Sequence, residues 1–282
     1  MEDFGFLENW LIWRDAMAVA IISAGALAYL GVWVALKKVL FVPLALSQVA
    51  SLGLMLSAVL GSWLGHDSNG LAHDGIGVAE GLGMSVLSAA LLGLWLSKPR
   101  EQGSQTVVTA YLIASAGVLL CGNLVRHELH DVDAVLFGSA VLVDVAQVGI
   151  VGCTAAGVFL VHRLFYRRFL FVVFDRDAAG AAGIPVFATE AALMVSFAVM
   201  IAVVTQAIGA LPAFGLMVLP ALLGLRLAKT MAQAFGVAIG AGVLSAGIGY
   251  YVSFRWDTPT GATMVGLSAG LYGLSLLLAN QK

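Results

Sequence analysis

The chain has 282 residues, of which 61% are hydrophobic and only 11% charged, and its mean hydropathy is +0.98. A soluble domain carries roughly 25% charged residues, so a water-facing surface of this size could not be covered, which excludes a soluble enzyme, a secreted disulfide scaffold and a disordered tail. With 14 Lys and Arg against 16 Asp and Glu, the net charge of −2 leaves no basic footprint for nucleic acid.

A helix crossing the ~30 Å hydrocarbon layer needs about 20 mostly apolar residues. In chain order the qualifying stretches are 17–36, 45–64, 75–96, 107–124, 145–161, 191–207, 211–225, 231–251 and 261–279. Residues 191–225 are too long for one helix and divide at Gly209–Pro212. The runs are continuous rather than alternating, so they are helices and not barrel strands. The expectation is an all-α, polytopic membrane bundle of about nine transmembrane helices, forming one membrane domain over 1–282. The 33 glycines, often beside Ala or Ser, suit close helix packing in lipid. The cysteines, Cys121 and Cys153, sit in apolar runs and read as small core residues. Trp10, Trp13 and Trp256 fall at predicted boundaries and read as interfacial anchors.

Lys and Arg set the direction. If the N-terminus lies outside, the inner segments hold Lys37, Lys38, Lys98, Arg100, Arg163, Arg167, Arg168, Arg176, Arg226, Lys229 and Lys282, leaving Arg14, Arg126 and Arg255 outside. The positive-inside rule therefore predicts N-out, C-in. The N-terminal segment carries acids and no early Lys or Arg, so it does not read as a cleavable signal peptide.

Catalytic signatures are missing. No phosphate-cradling G-x-x-x-x-G-K-[S/T] loop occurs, so ATP hydrolysis is not expected of this chain. His127-Glu128-Leu129-His130-Asp131 has its histidines three apart, which is not the H-E-x-x-H of a metalloprotease. The pattern is that of a conduit rather than a catalyst.

Two outer loops collect metal-type ligands: His66, Asp67, His73 and Asp74 in the first, and His127, Glu128, His130 and Asp131 in the second. Imidazole with carboxylate suits zinc and also manganese or iron. Within the spans, Glu80 is a suspect because a charge near mid-membrane is costly. Gln48 and Ser51, three apart on the second span, could face a shared pathway or bridge helices. His162 falls in a basic inner loop and reads as interfacial. In that inner segment Asp175 suits an N-cap, Asp177 the first turn, and Gly183 followed by Pro185 a stop. The result is a short, small-sided helix, too short to span and suited to a groove on another protein.

Four stretches together resemble the permease subunits of ABC importers for zinc, manganese or iron. They are Leu136-Phe137-Gly138-Ser139-Ala140-Val141; Phe174-Asp175 with Ala179, Gly183 and Pro185; Ile208-Gly209-Ala210-Leu211 leading to Leu219-Pro220-Ala221; and Thr258-Pro259-Thr260-Gly261. The resemblance spans roughly residues 37–278. It implies a homodimeric permease in the bacterial inner membrane, a separate cytoplasmic ATPase and an extracytoplasmic metal-binding protein. It also implies that Asp175 to Gly183 forms the coupling helix, with Phe174, Asp175, Ala179 and Gly183 meeting the ATPase. Many relatives carry Gly-Asp-Ala-x-Ser-His at the start of the second span, whereas Pro43-Leu44-Ala45-Leu46-Ser47-Gln48 stands here. That pore site is therefore not carried over, which leaves Glu80 and the outer His/Asp loops to handle the ion.

The expected function is entry of a divalent metal ion, zinc first because of the histidine loops, with no permanently bound cofactor and no nucleic-acid partner. An ion- or proton-coupled secondary transporter is the alternative reading.

Overall fold

The computed structural model describes residues 10–63, 75–97, 103–124 and 145–279. These contain ten α-helices and no strand: α1 (Trp10–Leu36), α2 (Val42–Trp63), α3 (Gly75–Leu96), α4 (Gly103–Leu124), α5 (Val145–Phe174), α6 (Arg176–Ala181), α7 (Val186–Ile208), α8 (Ala210–Leu227), α9 (Met231–Trp256) and α10 (Thr260–Ala279). Among the described residues, eight of them are long and apolar enough to span a bilayer, and α3 adds a shorter apolar run, Glu80–Leu96. The all-helical, multi-pass expectation holds.

Burial sorts the helices. Most of α1, α7 and α8 is enclosed by other helices, whereas α4, α5 and α10 turn most of their apolar side chains outward. Helix α1 packs on α9, α8 and α5; α2 packs on α3, α4, α7 and α8; and α3 lies along α7. In lipid the drive for such packing is van der Waals contact at short range, and Gly31 shows how short. A Cβ there would lie 1.7 Å from the Met217 carbonyl oxygen, so only glycine lets α1 and α8 meet.

The predicted break after α7 is real and has a backbone cause. Gly209 sits at φ 92, ψ 163, a region that residues with a Cβ essentially do not occupy. Its N–H still closes on the Thr205 carbonyl at 2.9 Å, and its own carbonyl accepts from Ala213 N–H at 3.2 Å. Pro212 falls in the first turn of α8, where its missing N–H costs no helical bond.

Three expectations need correction. The fifth span does not give way to a loop at His162: α5 is one helix of 30 residues from Val145 to Phe174, about 45 Å at 1.5 Å per residue. Charge made 162–168 look like a loop, yet the stretch holds no Gly or Pro to stop a helix. Trp13 is not an interfacial anchor; it is buried, with its ring 6.3 Å from that of Tyr250. The cysteines are not core residues, for Cys153 is exposed and Cys121 half-buried.

Candidate functional site

The short helix α6 is defined at both ends by side-chain and backbone chemistry. Asp175, in extended conformation, caps it, its carboxylate accepting from Ala178 N–H at 2.9 Å. At the other end Gly183 takes φ 80, while Gly183 N–H donates to the Gly180 carbonyl and Ile184 N–H to the Ala179 carbonyl, both at 3.0 Å. This pair of bonds around a left-handed glycine is a Schellman termination. Ala179 is fully buried against the bundle, whereas Asp175, Asp177 and 180–183 are exposed. The outward face is thus smooth and small-sided, with Phe174 and Phe187 exposed on either side.

One end of α6 is held by an ionic bridge. Glu190, in the second turn of α7, receives Lys37 Nζ on Oε1 at 2.5 Å and the Arg176 guanidinium on Oε2 at 3.0 Å. The Glu190 side chain is only 4% exposed, Lys37 17% and Arg176 40%. A buried charge is tolerable when paired, and removing one partner of such a pair costs roughly 3–5 kcal/mol. The more exposed Arg176 arm belongs to the class of pairs worth up to about 1 kcal/mol. Lys37 is aimed by the end of α1, where Lys38 adopts φ 60 and Val39 N–H reaches back to the Val34 carbonyl at 3.1 Å. Sequence reading passed over Glu190, which stands just before the apolar run 191–207.

His162 is also placed differently from expectation. It is fully buried inside α5, ringed by Tyr29, Trp33 and Phe169 at centroid distances of 5.6, 5.7 and 5.0 Å. Its Nε2 lies 2.8 Å from Ser196 Oγ, which ties α5 to α7.

The other predicted positions divide clearly. His66, Asp67, His73, Asp74, His127, Glu128, His130 and Asp131 lie outside the described residues, as does Leu136–Val141 of the first resemblance stretch. Among the described residues no group of three or more His, Cys, Asp or Glu side chains is close enough to hold a metal. Glu80 is exposed on α3. Ser51 is buried and spends its hydroxyl on the Ser47 carbonyl at 3.0 Å, whereas Gln48 Oε1 is buried with no hydrogen-bond partner among the described residues. The late Thr-Pro-Thr-Gly stretch forms a hydroxyl-laced turn, in which Ser253 Oγ contacts both the Thr258 carbonyl (2.5 Å) and Thr260 Oγ1 (3.0 Å).

Long apolar helices, a glycine-broken central pair and one short capped helix across an end define a multi-pass α-helical membrane protein. The chain belongs to the ABC 3 transport family, whose profile matches residues 10–279. It is 27% identical over 263 residues to the high-affinity zinc uptake system membrane protein ZnuB of Haemophilus influenzae, covering 93% of this chain and 95% of that one. It is 23% identical over 277 residues to the manganese transport system membrane protein MntC of Halalkalibacterium halodurans, covering 98% and 90%. The fold matches a solved structure of PsaBC from Streptococcus pneumoniae in complex with Fab, with a TM-score of 0.77, 19% identity, and 95% and 92% of the two chains covered.

Proposed function

We propose that this chain is the permease of an ABC importer that admits a divalent metal ion to the bacterial cytoplasm. The observation that carries the reading is α6: a helix of six residues, capped by Asp175, stopped by Gly183 and with Ala179 as its one fully buried residue. Its exposed small face and the flanking Phe174 and Phe187 suit a groove on a cytoplasmic ATPase. In this reading the N-terminus is outside, α6 faces the cytoplasm, and a second copy of the chain completes the pathway. Nucleotide-driven closure of the ATPase pair displaces α6, and the bundle exchanges outward for inward access. Such exchange needs two packings close in energy, and the glycine contacts between helices suit it.

Zinc is the preferred cargo, because two predicted outer loops carry His66, His73, His127 and His130 beside carboxylates. Relatives named for zinc and for manganese lie at comparable identity, so the neighbouring ions are the direct competitors. An extracytoplasmic metal-binding protein would deliver the ion near those loops. The decisive experiment is radiometal uptake by the complex reconstituted with its ATPase and binding protein, compared across zinc, manganese and iron. ATP-dependent uptake with zinc preferred is expected. Uphill transport by the lone chain would overturn the reading in favour of a secondary transporter.

A further inference from the structure

Motion of α6 reaches α5 and α7 through the backbone, since Asp175 and 182–185 join it directly to both. Helix α1 has no such connection. It is nevertheless among the most enclosed helices, packed on α9, α8, α5 and α7, so any rearrangement of the bundle must move it or break against it. The described link between the α6 region and the end of α1 is the bridge Arg176–Glu190–Lys37, whose Lys37 and Glu190 stand 153 positions apart.

We propose that Glu190 is a positioning residue that couples displacement of α6 to α1, its carboxylate holding Arg176 at the start of α6 and Lys37 at the end of α1. The inference rests on the assignment of α6 as the ATPase-docking helix. The two arms are unequal. Lys37 and Glu190 are shielded from water, which strengthens their attraction relative to a surface pair. Arg176 is 40% exposed and bonds the opposite oxygen, so it is the arm that can let go and re-form as α6 shifts. One carboxylate therefore acts as a fixed hinge toward α1 and a releasable latch toward α6. The left-handed turn at Lys38 keeps Lys37 aimed at it.

The test measures ions imported per ATP hydrolysed in proteoliposomes containing the full complex. Glu190→Gln and Lys37→Gln should each retain the co-purified ATPase while the ratio falls roughly three- to thirtyfold, the range of measured coupling effects. A combined variant, Lys37→Glu with Arg176→Glu and Glu190→Lys, keeps all three charges paired and should regain most of the ratio. An unchanged ratio in Glu190→Gln would refute the role. So would a combined variant that melts like the parent yet stays as uncoupled as Glu190→Gln. If the parent chain itself never retains an ATPase, the docking assignment of α6 fails first, which separates the two failures.

Discussion

His162 and Ser196 hold α5 against α7 through a contact of 2.8 Å between Nε2 and Oγ, deep among aromatic rings. The Ser196 hydroxyl also lies 2.7 Å from the Leu193 carbonyl and has one proton to donate, so it gives that proton to Leu193 and accepts from His162. Ser196→Ala strands a buried N–H and should destabilise the protein by about 1–3 kcal/mol. His162→Phe removes donor and acceptor together inside the same aromatic nest and should cost less. Thermal unfolding of the two variants in detergent decides this; the opposite order would show that ring packing, not the hydrogen bond, holds the joint.

Gly31 is the tightest described glycine contact, facing the Met217 backbone. Gly31→Ala must push α1 off α8 and should lower stability by roughly 2 kcal/mol or more, in line with overpacking of a filled core. Gly83 meets nothing within 4 Å, and Gly83→Ala should stay within about 0.5 kcal/mol of the parent. Equal melting temperatures for the two variants would contradict the packing described.

At Gly209 the penalty is conformational instead of steric. Gly209→Ala must hold φ 92 with a Cβ present, a strain of about 1–3 kcal/mol. Melting curves should show the loss. A variant as stable as the parent would mean the break can relax to another backbone geometry.

For α6 the cap is separable from the charge. Asp175→Ala removes the bond to Ala178 N–H and should weaken the helix by about 1 kcal/mol, reducing ATPase retention in pull-downs. Asp175→Asn keeps an accepting oxygen and should retain the partner. Loss of retention in both would assign Asp175 to direct contact with the partner rather than to capping.

Local chemistry made much of this architecture readable from sequence. Apolar runs gave the long helices, Gly209–Pro212 the break, and Asp175, Gly183 and Pro185 the limits of α6, because each signal lies within a few residues of what it determines. Glu190 was invisible for the complementary reason. Its meaning depends on Lys37, 153 positions away, and no periodicity links them. Lys37 and Arg176 had each counted only as a charge setting orientation. His162 was misread because the arginines around it outweighed the absence of any helix breaker, and burial by Tyr29, Trp33 and Phe169 comes from two separate helices. The histidine-rich segments 66–74 and 127–133 lie outside the described residues.

The glycine between α7 and α8 has a mechanical corollary. These are two of the most enclosed rods in the bundle, and they meet at a residue with no side chain to repack when the angle between them changes. A tilt imposed on α7 from the Glu190 end need not be copied by α8, so the middle of the protein can behave as a knuckle, with α7 turning while α8 keeps its grip on α1.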